Sequence, residues 1–115
     1  MEAELVASGR FVRIETRGRR SGAARAVTVG FVAEAHGSIL VAAGSPDADW
    51  AANLAAEPAC RVTIGSETVE ATAEPLDGAG HAAAIRDLIL RYGTPAEALG
   101  HGPSFRLRPR GAATR

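Results

Sequence analysis

The fold is decided in residues 61–73, which read RVTIGSETVEATA. Apolar residues stand at every second position in two runs, first at Val62 and Ile64 and then at Val69, Ala71 and Ala73. Gly65-Ser66 lies between the two runs. A period of two is typical of a strand with one buried face, and a short link that contains Gly is typical of a hairpin. The segment therefore predicts two antiparallel strands joined by a tight turn.

The same alternation continues on both sides of this segment. It recurs at Val12–Ile14, Val27–Phe31 and Ile39–Ala43, and His36-Gly37 is a turn signal between the last two. Residues 104–108 supply a sixth strand. We therefore expect an α+β, mainly β domain, in which a six-stranded antiparallel sheet closes into a small barrel with two or three helices.

A first helix is predicted after residues 44–46, which read GSP. Asp47 can cap this helix, since a side-chain oxygen at that place accepts from free backbone N–H groups. Trp50, Asn53 and Leu54 share one helical face, and Pro58 ends the helix.

A second helix is predicted from about Asp77 to Tyr92, with Gly93 as its stop. Residues 94–97, Thr-Pro-Ala-Glu, have the spacing of a capping box and predict a further short turn of helix. The apolar stripe of the second helix consists of Ile85, Leu88, Ile89 and Tyr92.

The length and composition of the chain limit the number of domains and the classes of protein to which it can belong. The 115 residues suffice for a single domain, 1–115, in which we expect about ten N-terminal and six C-terminal residues to be loose. The first ten residues do not resemble a secretion signal, and no apolar run approaches the ~20 residues that span a bilayer. We therefore expect a cytoplasmic protein without a membrane span.

The single cysteine and the three histidines do not predict a reactive or metal site. Cys60 lies in the apolar phase of a strand and is expected to be a core residue, and one cysteine excludes an internal disulfide. His36, His81 and His101 lie far apart without metal-ligand spacing. We expect no bound metal.

The chain has equal numbers of cationic and acidic residues, thirteen of each, so its overall charge does not indicate a polyanion partner. The cations are nevertheless concentrated in the cationic turn, residues 17–25, which holds four arginines with no acid between Glu15 and Glu34. Positive φ angles at Gly18 and Gly22 would let backbone N–H groups converge on an oxyanion beside the guanidinium groups. The alternative is a solvated turn with no ligand.

Trp50 also has two interpretations. It can plug one end of the barrel, or it can wall a pocket, because the preceding Ala43-Gly44-Ser45 bend allows a planar ligand to approach the backbone. Glycine patterns of nicotinamide-binding and nucleotide-hydrolysing proteins are missing, as is the Gly-x-Ser-x-Gly context of a serine nucleophile. No catalytic acid or base can be assigned from the sequence.

Three motifs occur together in a recognisable order: Gly18-Arg19-Arg20-Ser21-Gly22-x-x-Arg25, Val41-Ala42-Ala43-Gly44 and Trp50-x-x-Asn53-Leu54-x-Ala56-x-Pro58. In these motifs the chain resembles the deazaflavin-dependent nitroreductase family. Members of that family are small split β-barrel oxidoreductases that use coenzyme F420. The resemblance covers residues 11–76 well and the remainder loosely.

The resemblance implies a cofactor site and a reaction. It implies that Arg19, Arg20, Ser21 and Arg25 hold the phosphate and acidic tail of F420, and that the Ala43, Gly44 and Ser45 bend lies along its ring. It further implies that Trp50 and Asn53 help to form the pocket, and that hydride passes to a quinone, an enone or a nitro compound. A hydride-transferring coenzyme needs little acid–base chemistry from the protein.

The chain departs from the family pattern at several places. The family often has Lys at the position of Arg20, an aromatic residue at that of Ala51, and an N-terminal helix that we do not expect here. Family members also place tyrosines over the substrate, and Tyr92 is the available tyrosine, with His101 or water as other proton donors.

Two other functions remain open from the sequence. One is an FMN-binding protein of the pyridoxamine-phosphate-oxidase-like group, in which the cationic turn holds a single phosphate. The other is a non-enzymatic β-barrel that binds nucleic acid, although five aromatic residues offer few surfaces for base stacking. We expect a small-molecule acceptor as partner and no nucleic acid, and a homodimer is possible.

Overall fold

The computed structural model describes residues 2–19, 21–93 and 101–110. A 3₁₀ turn at Ala35–Gly37 separates the third and fourth strands. The other elements, in chain order, are α1 (Glu2–Ala7), β1 (Val12–Arg17), β2 (Ala24–Val29), β3 (Val32–Ala33), β4 (Ile39–Ala42), α2 (Asp49–Ala56), β5 (Ala59–Ile64), β6 (Glu67–Leu76), α3 (Gly78–Tyr92) and β7 (Ser104–Pro109).

All seven strands belong to one antiparallel sheet with the order β2-β1-β5-β6-β7-β4-β3. The two edge strands, β2 and β3, follow each other in the chain with Gly30-Phe31 between them. Residues 24–33 therefore form one bent strand that pairs with β1 through its first part and with β4 through its last part. This closes the sheet into a split barrel, and the predicted mainly β architecture is confirmed.

The strand count differs from the six expected, because the bend at Gly30-Phe31 divides the second predicted strand. The β5–β6 hairpin is confirmed, with Val62 opposite Val69 and a positive φ of 61° at Gly65 in the turn. The other predicted hairpin, with its turn at His36-Gly37, is confirmed in part. Strand β3 pairs antiparallel with β4, but Val27 and Val29, which were predicted to belong to this hairpin, pair with β1. The strand predicted at residues 104–108 is β7, which pairs with both β4 and β6.

The core lies inside the barrel and follows the alternation of the strands. Val12, Ile14 and Thr16 of β1 point inward and are buried, whereas Arg13 and Arg17 are exposed. The inward side chains of the other strands and of α2 complete the core, among them Val41, Leu54, Val62, Ala73, Phe105 and Leu107. Burial of these apolar surfaces is the main source of stability in a domain of this size.

Helix α2 confirms the first predicted helix but not its cap. Ala48 stands at the N-cap position and makes no side-chain cap hydrogen bond. The prediction that Asp47 caps the helix is therefore wrong. Asp47 instead belongs to the preceding turn, where its backbone N–H donates to Ser45 Oγ over 3.1 Å. Asn53 and Leu54 are buried on the helical face that was predicted, and the helix ends two residues before Pro58.

Helix α3 matches the second predicted helix, with Asp77 as its N-cap residue and Gly93 as its C-cap residue. Leu88 and Ala84 are its buried residues, while Ile85 and Ile89 are half-buried. The short helix predicted at residues 94–97 lies outside the described residues.

The N-terminal segment forms helix α1, where we expected loose chain and no helix. Val6 is buried, and its carbonyl accepts a 2.8 Å hydrogen bond from Gly65 N–H in the β5–β6 turn. This tertiary bond explains the difference, because a six-residue helix has little stability by itself. Within the described residues, no helix is long and apolar enough to cross a membrane.

Candidate functional site

The cationic turn is folded by its own backbone hydrogen bonds. Gly18 N–H donates to the Ala23 carbonyl over 2.8 Å, and Gly22 N–H donates to the Gly18 carbonyl over 2.8 Å. Ser21 Oγ accepts from Ala23 N–H over 3.1 Å. Gly22 has a positive φ of 75°, but Gly18 does not.

These bonds correct one expectation about the anion site. The N–H groups of Gly18 and Gly22 are already donors within the turn, so they do not converge on an oxyanion. Arg17 Nη1 also donates within the turn, to the Gly22 carbonyl over 3.2 Å, so the guanidinium groups of Arg19 and Arg25 are the strong donors at the cavity. They can form paired hydrogen bonds with a phosphate or a carboxylate.

Arg19 is held against helix α2 by Asn53. Asn53 Oδ1 accepts from Arg19 N–H over 3.2 Å and from Arg19 Nη1 over 2.9 Å. Asn53 Nδ2 in turn donates to Thr16 Oγ1 of β1 over 3.4 Å. Since Asn53 is 4 % exposed and Thr16 is 1 % exposed, this chain of hydrogen bonds anchors the turn in the core.

A cavity of about 590 Å³ lies between the cationic turn, strand β2 and the start of α2. Its lining combines polar and cationic side chains with small apolar residues and an indole. The lining residues are Gly18, Arg19, Ser21, Arg25, Ala26, Val27, Ala48, Asp49, Trp50 and Asn53. Five predicted cofactor residues are thereby brought together: Arg19, Ser21, Arg25, Trp50 and Asn53.

The charge at the cationic end of the cavity is only weakly balanced. Arg19 Nη2 lies 3.7 Å from Asp49 Oδ1, and the Asp49 side chain is 88 % exposed. A pair of this kind contributes little in water. Arg25 is exposed and forms no ion pair with another described residue, and Arg20, the fourth predicted phosphate ligand, lies outside the described residues.

Trp50 fits both of its sequence interpretations. It is half-buried and packs against the core, with its ring centroid 6.3 Å from that of Phe105. It also lines the cavity. The same side chain therefore packs against the core and forms part of the wall of the cavity.

The Ala43, Gly44 and Ser45 bend is not brought to this cavity. Ala43 is buried, and its N–H donates to the Pro103 carbonyl over 2.9 Å. The carbonyls of Ala43 and Ser45 pack against Gly102 so closely that a side chain at Gly102 would not fit. In this conformation the bend packs against the start of β7, and no lining residue of the cavity comes from it.

Tyr92 is also placed elsewhere, at the end of α3. Its hydroxyl accepts from Phe31 N–H over 3.0 Å and lies 2.7 Å from the Arg10 carbonyl. Its ring fills the space above Gly30, where an added Cβ would lie 2.8 Å from the ring. The contacts of Tyr92 are those of a residue that fixes the bend of the barrel, and they do not support the substrate role expected for it.

The remaining chemically active side chains lie apart from the cavity. Burial raises the pKa of the Cys60 thiol to about 11, so it stays protonated in the core, as expected. His81 Nδ1 lies 2.6 Å from Ser104 Oγ, and His36 occupies a turn. No group of three or more metal-ligating side chains occurs in the described ranges.

Sequence reasoning missed several residues that shape the site. Thr16 anchors Asn53, and Asp49 approaches Arg19, but residue type alone does not show which threonine or aspartate faces a cavity. The apolar wall formed by Ala26 and Val27 has a readable signal, since these residues directly follow Arg25 on β2.

The sequence profile of the F420H(2)-dependent quinone reductase family matches residues 4–94. The chain belongs to this family. The resemblance inferred from the three motifs is thereby confirmed at the level of F420-dependent split-barrel reductases. No curated protein sequence matches the chain.

Solved structures support the same assignment. A structure described as F420-H2 dependent reductase FDR-A has a TM-score of 0.74 and 26 % identity, and the match covers 86 % of this chain and 94 % of that one. Two others show the fold alone. One is described as a domain-swapped dimer, with a TM-score of 0.73, 23 % identity and 92 % coverage of each chain. The other is HutZ, the heme storage protein from Vibrio cholerae, with a TM-score of 0.75, 20 % identity and coverage of 96 % and 88 %.

Coenzyme F420 is the cofactor of this reductase family, and the family assignment favours it over FMN. The cavity has the donor chemistry that such a coenzyme requires. Arg19 and Arg25 supply forked cationic donors for a phosphate or a carboxylate, while Trp50 and Val27 offer apolar surface to a planar ring.

Proposed function

We propose that this reductase binds F420 in the cavity between the cationic turn and Trp50 and passes hydride to a small electron-poor acceptor. A quinone, an enone or a nitro compound has the required electron-poor carbon or nitrogen centre. The observation that supports this proposal most strongly is that two arginines and an indole line the same cavity.

The cationic end favours the anionic part of the coenzyme. Arg19 is fixed by two hydrogen bonds to Asn53, so little side-chain freedom remains to be lost when an anion binds. Arg25 forms no ion pair with another described residue and is exposed to the cavity. Ser21, on the same turn, adds a hydroxyl to the lining of the cavity.

The apolar end favours the ring. Reduced F420 supplies the hydride when it is bound, so the residues of the chain have to orient the ring and limit the access of water. Trp50 provides a flat surface, and Val27 and Ala48 provide the small apolar contacts beside it. The described lining residues include no histidine, cysteine or tyrosine, so the proton that accompanies the hydride in a quinone reduction is assigned to solvent.

Binding can be measured through the single tryptophan of the chain. Titration with F420 should change the fluorescence of Trp50 in a saturable way at micromolar ligand. FMN is the matched competitor because it offers a tricyclic ring with one phosphate. A protein that binds FMN and not F420 contradicts the proposed cofactor site.

Turnover can be measured with reduced F420 and a simple naphthoquinone. One hydride and one proton are transferred for each quinone, giving the hydroquinone and oxidised F420. A nitroimidazole and a cyclic enone, tested at the same concentration, compare the three acceptor classes. If none of them oxidises reduced F420 faster than the reaction without protein, the proposed reaction is wrong.

We also propose that the reductase forms a homodimer. The support is the match to a structure described as a domain-swapped dimer, at 92 % coverage of each chain. Sedimentation equilibrium with and without F420 measures the mass directly. A monomer under both conditions contradicts this proposal.

A further inference from the structure

We propose that Asn53 is a positioning residue, which acts on the anionic end of F420 only through Arg19. This inference rests on the proposed function. It changes the role of Asn53 from a residue that contacts the coenzyme to one that holds the guanidinium group in place. Thr16 supports it from strand β1.

The hydrogen bonds of Asn53 are largely used within the protein. Oδ1 accepts both Arg19 N–H, over 3.2 Å, and Arg19 Nη1, over 2.9 Å. Two donors saturate the two lone pairs of an amide oxygen. Nδ2 donates to Thr16 Oγ1 over 3.4 Å, and the residue is 4 % exposed.

The bonds fix both the backbone and the side chain of Arg19. The Arg19 N–H bond joins the cationic turn to α2, and the Nη1 bond orients the guanidinium group at the cavity. An unrestrained arginine side chain loses rotational freedom about several bonds when it binds an anion. A side chain that is already held loses less conformational entropy, so the restraint favours binding.

The chemistry of the restraint also suits an anion site. A neutral amide accepts hydrogen bonds from Arg19 without cancelling its positive charge, whereas a carboxylate at the same place would neutralise it. The carboxylate of Asp49 lies 3.7 Å from Arg19 Nη2, and the Asp49 side chain is exposed. Arg19 is therefore oriented by an uncharged partner and keeps its charge for a ligand.

A double-mutant cycle separates positioning from direct contact. The variants are Asn53→Leu, Arg19→Met and the double variant, and F420 affinity is measured through Trp50 fluorescence. We expect Asn53→Leu to weaken binding about tenfold, as for loss of hydrogen bonds to a charged group. In the Arg19→Met background the guanidinium bond is already absent and only the backbone N–H bond of residue 19 remains to be lost, so the same change should weaken binding less, by about twofold.

Thr16→Val is a second test that keeps the shape of β1 and serves if Asn53→Leu does not fold. It should weaken F420 binding about threefold in the wild-type background, since it removes one neutral hydrogen bond, and should have no effect in the Arg19→Met background. Asn53→Leu and Thr16→Val should each raise the KM for F420 by a larger factor than they lower kcat. A role in stability alone would lower Tm without this dependence on Arg19.

The outcomes distinguish this inference from the proposed function. Wild-type protein that does not bind F420 overturns both. Wild-type protein that binds F420, combined with equal effects of Asn53→Leu or Thr16→Val in the two backgrounds, overturns the positioning role and leaves the proposed function standing. A smaller effect in the Arg19→Met background supports the role.

Discussion

Two regions of this reductase use arginine in opposite ways. On the outer face of the sheet, the arginine ladder consists of Arg106 and Arg108 with Glu34 and Glu74. Arg106 binds Glu34 through two hydrogen bonds of 2.7 and 3.0 Å, and Arg108 binds Glu74 through two of 2.8 and 2.9 Å. In the cationic turn, Arg19 is bound instead by the neutral amide of Asn53.

The difference explains how a chain with zero net charge can still have a locally cationic cavity wall. Carboxylates are concentrated around the arginine ladder and neutralise its cations there. The cationic turn has no acid of its own, and its nearby Asp49 is a weak partner. An arginine with a bidentate carboxylate partner stabilises local structure, whereas one held by an amide keeps its charge available.

The largest effect should follow from removing the available charges. Replacing both Arg19 and Arg25 by Gln should weaken F420 binding by about two orders of magnitude, because each change removes a charge-assisted interaction. Arg108→Gln in the arginine ladder is the matched control, and it should leave F420 affinity within about twofold of wild type. Fluorescence titration measures all variants. Equal losses in both regions would show that only overall charge matters.

A substitution at Tyr92 tests whether the end of α3 takes part in catalysis or only stabilises the fold. Tyr92→Phe removes the hydroxyl that accepts from Phe31 N–H and contacts the Arg10 carbonyl. It should lower the free energy of unfolding by about 1 kcal/mol, the usual net contribution of a hydrogen bond, because the groups involved are only partly buried. Urea denaturation measures this. The kcat of the folded variant should be unchanged, and a large fall in kcat at full folding would restore a substrate role.

The arginine ladder should also give the stability a dependence on acid pH. The side-chain hydrogen bond from Arg106 holds the pKa of Glu34 below its usual value of 4.5, and that from Arg108 does the same for Glu74. A carboxylate whose folded pKa is lowered stabilises the fold above its unfolded pKa, and this contribution is lost as pH falls through the folded pKa.

We therefore expect Tm to fall as the pH drops below 4.5, the usual pKa of these carboxyl groups. Arg106→Gln should lower Tm at neutral pH and make the fall at acid pH shallower, because Glu34 then titrates near its unfolded value. Calorimetry across this pH range checks the prediction. An Arg106→Gln curve parallel to that of wild type would show that the ion pairs do not contribute.

The smallest effect should follow from a change at Asp49, which forms an exposed ion pair with Arg19. Asp49→Asn should tighten F420 binding about twofold to threefold, since it removes an exposed carboxylate that competes for the guanidinium group. Asp47→Asn is the control, because Asp47 is also exposed but does not line the cavity. Both variants are measured by titration at low salt. Equal effects would show that Asp49 influences F420 affinity only through the net charge of the protein.

Much of the fold could be predicted from local sequence patterns. The β5–β6 hairpin was predictable because the alternation of residues 61–73 and the Gly65 turn act within a few residues of each other. Helix α3 was predictable for the same reason, since Asp77 and Gly93 mark its ends. Helix α1 was not, because it depends on the distant bond between Val6 and Gly65.

The site was predictable in part. Arg19, Ser21, Arg25, Trp50 and Asn53 were found from their motifs, and they line one cavity. The placement of Ala43–Ser45 and Tyr92 was not, because each depends on packing against a segment far away in the chain. Arg20 lies outside the described residues, so its role stays a prediction.

The sequence by itself determined the strand alternation, the two longer helices and the concentration of arginine in one turn, because these depend on residue type and short-range spacing. Only the tertiary structure decided which hydrogen-bond donors remain available. Backbone pairing across the turn uses the N–H groups of Gly18 and Gly22, and packing of α2 brings Asn53 to Arg19 from 34 positions away. The guanidinium groups are thus the donors that the folded turn offers to an anion.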